Sequence, residues 1–262
     1  MAIAIDTFTT KDIEATSITI DKPTGVVEGD LMVAQVCGQS NAVVVTPPAG
    51  WTEIQQGVPA SAGPVMASYY RVATSSEGAS YNFTLDSSSK AVGGIVRITG
   101  ATVIDTSSEQ YNDTPSTTIT GGTVTPTYAD SYILFLTAST AGATSGYAIA
   151  TANPASWTEL YDISRTSVYG TMAWASRPET SATGNATATT TSSRSACHIL
   201  VIKPFPEPAL PADTTNTSDS VINNLVDYST ETSTVTDSFT PYTTTFSNKS
   251  KNSSSWTNKD KS

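Results

Sequence analysis

Charge, cysteine, histidine and helical periodicity are all scarce in this chain. Charged residues make up 14% of its 262 positions, against roughly 25% in ordinary soluble domains. Two cysteines, Cys37 and Cys197, are too few to staple a chain of this length, so no disulfide framework is expected. Cys37 ends the apolar run Leu31–Cys37 and Cys197 opens Cys197–Ile202, which reads as two buried structural thiols. The single histidine, His198, excludes any site that needs two imidazole ligands. Because neighbours on a strand point to opposite faces, Cys197 and His198 do not read as a dyad. No run approaches the ~20 apolar residues that span a bilayer, which argues against a membrane-embedded protein. The opening residues Met1–Asp6 lack a basic segment and a long apolar one, so a standard secretory route is not expected. Phosphate loops, HExxH, paired CxxC and GxSxG elbows are missing as well. No cofactor or metal is expected, and the chain reads as non-enzymatic.

Small hydroxyls fill the gap. Thr supplies 45 positions and Ser 35; Thr favours strands, and both residues disfavour helix interiors. Short alternating or apolar segments recur between Gly, Pro, Asn and Ser clusters, among them Ala2–Phe8, Ser17–Ile20, Leu31–Cys37, Tyr81–Leu85, Gly94–Ile98, Tyr132–Ala138, Asn185–Thr189 and Cys197–Lys203. The one passable helix is Ser220–Asp227. The fold class expected is all-β, a jelly-roll-like β-sandwich followed by an extended, mostly irregular C-terminal tail.

The sequence also repeats itself. Pro48-Ala-Gly-Trp51-Thr-Glu-Ile54 returns as Pro154-Ala-Ser-Trp157-Thr-Glu-Leu160. Gly29-Asp30 has an echo in Ala129-Asp130, and Gly94–Ile98 matches His198–Ile202. Two pseudo-repeats are therefore expected, residues 1–105 and 106–204, forming either two small sandwiches or the halves of one. A proline-rich linker, 205–211, then leads to a polar segment, 212–262, in which 23 of 51 residues are Ser or Thr. That segment has too little apolar surface to offset the ordering entropy of a core of its own.

The net charge of −10 disfavours nucleic acid as a partner. Within it, residues 207–245 carry six carboxylates and no Lys or Arg, whereas 246–262 carry four lysines and one aspartate. Phe246, Lys249, Lys251, Trp256, Lys259 and Lys261 are read as partner-anchoring residues: isolated aromatics to fill a groove, cations to meet an acidic surface. Trp51 and Trp157 each start a strand after a turn. They read either as plugs at the end of a core or as contacts for a glycan. Glu53 and Glu159 hold equivalent places in the repeat and are the candidates for a glycosidase pair. Duplication explains that equivalence without catalysis. Asp105, Asp113 and Asp130 could offer oxygen ligands to calcium, without the dense spacing of a calcium loop.

Several of these motifs occur together in a known context. Lys22-Pro23, Gly29-Asp30-Leu-Met-Val33, Pro47-Pro-Ala-Gly-Trp51, Tyr69-Tyr-Arg-Val-Ala73 and Gly93-Gly-Ile-Val-Arg-Ile98 resemble a module of bacteriophage and prophage structural proteins. The terminal echo, Phe246-Ser-Asn-Lys-Ser-Lys251 and Trp256-Thr-Asn-Lys-Asp-Lys261, resembles short repeats that end some phage virion proteins. The resemblance implies a β-sandwich displayed on a virion and supplies no catalytic residue. The partners it implies are other virion structural proteins and further copies of the chain, a trimer being favoured, with a host-surface glycan as the alternative.

Overall fold

A computed structural model describes residues 3–40, 42–57, 63–149 and 156–205, plus one short ladder beyond them. The chain divides into a compact unit, Met1–Pro208, and a second unit, Ala209–Ser262. The first unit is all-β. Its first half runs β1 (Ala4–Asp21), β2 (Leu31–Gly38), β3 (Val45–Thr46), β4 (Thr52–Gly57), β5 (Val65–Val72) and β6 (Ser80–Thr99). Its second half runs β7 (Ile104–Thr120), β8 (Ser131–Ser139), β9 (Ser145–Ile149), β10 (Thr158–Arg165), β11 (Val168–Arg177) and β12 (Ala186–Ile202). In the second unit, β13 (Val235–Thr236) pairs with β14 (Thr245–Phe246); the expected helix at 220–227 lies outside the described residues.

The two halves are the same design twice. One sheet has the order β1-β6-β2-β5-β4 with β3 on β6; the other has β7-β12-β8-β11-β10 with β9 on β12. All pairings are antiparallel, and neither sheet closes into a barrel. Strands that face each other across the sandwich come in exchanged pairs. β1 lies against β10 as β7 lies against β4, and β2 against β11 as β8 against β5. That exchange is what a two-fold axis between two copies produces.

The choice between one sandwich and two resolves as both at once. Inward-facing Leu31, Val33, Val92 and Val96 meet Leu134, Leu136, Met172 and Leu200 in a central core shared by the repeats. Alternate residues of the same strands, Met32, Ala34 and Val36, face outward into a second core with Ile18, Ile20, Tyr81 and Phe83. Ile133, Phe135, Ile199 and Val201 do likewise with Ile119, Ala186 and Ala188. Each repeat therefore bends the far ends of its two longest strands over its own outer face. β2 is buried along its whole length, so its sequence is a continuous apolar run rather than an alternation.

The bend explains why the longest strands look short in sequence. Residues 4–8 of the first segment and Ser17–Ile20 belong to β1, and Tyr81–Leu85 and Gly94–Ile98 to β6. In β6 the register jumps from Ser89 to Thr84 where β1 advances only from Ala15 to Ser17. The extra residues on one strand turn the corner, as bulges do. Gly93 and Gly94 sit beyond that corner. A Cβ on Gly93 would meet the Gln35 carbonyl oxygen at 2.7 Å and Ile20 at 2.9 Å; one on Gly94 would meet the Tyr161 ring at 2.6 Å. The pair admits the folded-over strand on one side and the other repeat on the other.

Strand register also corrects one sequence echo. Met32 and Ile133, Ala34 and Phe135 occupy like places, so the partner of Asp30 is Ser131, and that of Gly29 is Asp130. Both Gly29 (φ 89°) and Asp130 (φ 56°) are left-handed. Asp30 Oδ2 accepts from the Val27 amide at 2.9 Å, whereas Ser131 Oγ donates to the Tyr128 carbonyl at 2.7 Å.

Candidate functional site

Trp51 follows the turn Pro47–Gly50, whose Gly50 is left-handed at φ 85°. The turn drops the indole into the outer core of the first repeat, where it is 7% exposed. Its ring lies 5.0 Å from Tyr81 and 5.5 Å from Phe83, edge to face in both cases. Stacking a sugar on it would require the core to open. Trp157 is half-buried against Phe135 and Tyr147 in the equivalent core. Trp51 therefore sits as a plug, whereas Trp157 borders its core and stays half-buried.

The paired carboxylates do not form a pair. Glu53 lies on β4 and Glu159 on β10, each at the outer edge of its sheet, and β4 stacks on β7 while β10 stacks on β1. The two-fold relation thus puts them on opposite sides of the sandwich, too far apart for glycoside chemistry. Glu159 instead neighbours Asp162 across a bulge. Burial and the adjacent Asp162 carboxylate raise its pKa. Asp105 accepts from the Thr127 amide at 2.7 Å and Asp130 occupies a turn. Among the described residues, no three of His, Cys, Asp and Glu come together as a metal cluster.

The interior between the repeats is more polar than the sequence pattern suggests. Gln35 Nε2 donates to the Thr137 carbonyl at 2.9 Å, and Gln35 Oε1 accepts from Tyr161 at 3.0 Å. Ser68 Oγ and His198 Nδ1 share a hydrogen bond of 2.9 Å, and Gln55 donates to Ser107 at 3.1 Å. All of these cross from one repeat to the other. His198 is fully buried, and its Nε2 has no hydrogen-bond partner among the described residues. Burial pushes its pKa down to about 3, so the imidazole is neutral at pH 7. Cys197 points the other way, into the outer core, with burial lifting its thiol to about 12. Burial likewise raises the Cys37 thiol. Neither thiol is a nucleophile in this state, and the separation of Cys197 from His198 follows from strand alternation, as expected.

Charges on the first repeat are used structurally. Glu77 is held by Arg71 at 2.9 Å, by the Thr74 amide at 2.7 Å and by Tyr81 at 2.8 Å. Burial alone would raise its pKa, but these hydrogen bonds outweigh burial and hold it down at about 2. Arg97 bridges Asp30, at 2.7 Å, and Asp6.

One surface feature was not legible as a site. At one end of the second sheet the register sets Thr158 beside Trp174, and Ser176 beside Tyr132. The Tyr132 and Trp174 rings stack, 5.0 Å apart and 9° from parallel, and both side chains are half-buried; Thr158 and Ser176 are exposed. Alternation alone could place Trp174 on a face but not say that it is only half-buried there. Lys249, Lys251, Trp256, Lys259 and Lys261, expected from the sequence to anchor a partner, lie outside the described residues, and the Phe246 backbone belongs to β14.

No family model matches this chain, and neither a curated protein nor a solved structure is significantly similar to it. No helix among the described residues is long and apolar enough to cross a membrane.

Proposed function

We propose that this protein is a structural, non-catalytic component of a tailed-phage particle. In this reading residues 1–205 form a displayed body and the C-terminal segment docks on neighbouring subunits. The observation that carries the reading is a break in charge within the C-terminal segment, between residues 245 and 246. Nine Lys and Arg stand against 22 Asp and Glu in residues 1–245, whereas the last seventeen residues hold four lysines and one aspartate. A cationic, aromatic-bearing end on an acidic protein suits attachment to an acidic surface, a second copy included. The structural use of Gly93, Gly94, Trp51 and Asp30 supports a scaffold reading of the motifs shared with phage modules.

Removing residues 212–262 tests it. The truncated chain is expected to keep the melting temperature of the full body and to be lost from assembled particles. Normal incorporation would overturn the anchoring role.

A second reading, recognition of a host-surface glycan by the body, draws support from the partly open Tyr132–Trp174 pair rather than from Trp51 or Trp157.

A further inference from the structure

Resting on that second reading, we propose that Trp174 and Tyr132 form a stacking platform for a neutral pyranose ring, with Thr158 and Ser176 as its hydroxyl rim. The first observation is geometric. On the inward-facing side of the second sheet, Thr158, Trp174 and Leu134 lie in one row, with Ser176, Tyr132 and Ile202 in the next. Leu134 and Ile202 are fully buried, whereas the other four are half-buried or exposed. Tyr132 and Trp174 pack against the rim of the central core and stay half-buried there. In a stacked pair each ring covers a face of the other, so the flat apolar area left for the axial C–H groups of a sugar is an outer ring face. Hydroxyls on either side can accept and donate to equatorial groups.

The second observation is the internal repeat, which supplies a control within one chain. The register of the first sheet places Tyr70, Leu31, Val72 and Thr52 where the second has Trp174, Tyr132, Ser176 and Thr158. Leu31 there is fully buried and Val72 is an exposed aliphatic residue. If the position needed only to finish the central core, leucine would serve in both repeats, as it does in the first. The second repeat instead carries an aromatic residue with a polar tip beside a larger aromatic, and a hydroxyl in place of the valine. Both changes suit a sugar and neither improves burial.

The third is charge. None of the four is an Asp, Glu, Lys, Arg or His, and residues 1–205 as a whole are net acidic. An anionic sugar would meet repulsion there, so the ligand class is neutral hexopyranose, free or within a polysaccharide.

The test uses the full chain on an array of neutral and acidic glycans, with any neutral hit confirmed by titration calorimetry using the corresponding methyl glycoside. Binding to a neutral glycan is expected, weakened at least tenfold by Trp174→Leu and by Ser176→Asp, and unchanged by Tyr70→Ala. Ser176 is exposed, so its substitution stays informative even if Trp174→Leu impairs folding. Binding that persists in both variants would overturn this site while leaving glycan recognition standing. Binding to acidic glycans alone would overturn the ligand class, and binding to none would overturn both the platform and the reading it rests on.

Discussion

Gly94, Tyr161 and His198 show how two copies of one design fit face to face. In the register of β6 and β12, Gly94 and His198 are counterparts; in that of β4 and β10, so are Gln55 and Tyr161. Small thus meets large on one side of the pseudo-axis, with Tyr161 filling the space that Gly94 leaves. Gly94→Ala is expected to cost about 1–3 kcal/mol in denaturant unfolding, the scale of overpacking a close-packed interior. Trp51→Ala is expected to cost more, ~3–5 kcal/mol, because a buried aromatic leaves a cavity between Tyr81 and Phe83. His198 sets a pH dependence. Its folded pKa of about 3 lies below the ordinary 6.5, so the unfolded chain binds the extra proton between those values and stability falls as pH drops through that window. Glu77 adds to the loss lower down: its stabilisation is complete above about 4.5 and disappears towards about 2. Urea titrations from pH 7 to 4 should show a falling midpoint in the wild type and a flatter one in His198→Gln. An equal slope in both would remove His198 as the cause.

At the scale of elements, the edge strands give Glu53 and Glu159 a use that catalysis does not. β4 and β10 end their sheets, and each carries a bulge at the glutamate, between Glu53 and Gln55 and between Glu159 and Tyr161. Charge and a bulge together stop an exposed edge from recruiting a strand from another molecule. Replacing both glutamates with valine should leave the thermal transition of the monomer close to wild type while promoting concentration-dependent association in light scattering. Unchanged scattering would assign edge protection to the bulges alone. The edges are also where sequence reading was weakest. β2, β8 and the ends of β6 and β12 are legible because buried strands are apolar runs. β7 shows no alternation over Ile104–Thr120, since its side chains are mostly exposed or half-buried, and it was missed. The polar middles of β1, β6 and β12 read as loops because the corner they turn faces water. Of the candidate site residues, the plug position of Trp51 was foreseeable from the turn before it. The stacking of Tyr132 on Trp174 was not, because it depends on the register of β8 against β11.

For the body as a whole, the decisive feature is that its largest core belongs to neither repeat alone. Leu31, Val33, Val92 and Val96 are buried only because Leu134, Leu136, Met172 and Leu200 face them, and the hydrogen bonds of Gln35, Ser68 and Gln55 end on the other repeat. Separating the repeats would expose that apolar surface, at about 25 cal/mol per Å², and leave buried polar groups without partners. The outer cores are unequal besides. The first holds Tyr69, Tyr81 and Phe83, whereas the second holds Ala186 and Ala188 and a hydroxyl network of Thr137, Thr144, Thr171 and Tyr147. If the repeats folded independently, the second would melt first. A shared central core couples them instead, so calorimetry of the full chain should give one body transition with equal calorimetric and van't Hoff enthalpies. Phe83→Ala, in the outer core of the first repeat, should shift that single transition downward as a whole. Two resolved peaks, with only one moved by the substitution, would mean that the central core is too weak to bind the repeats into one folding unit.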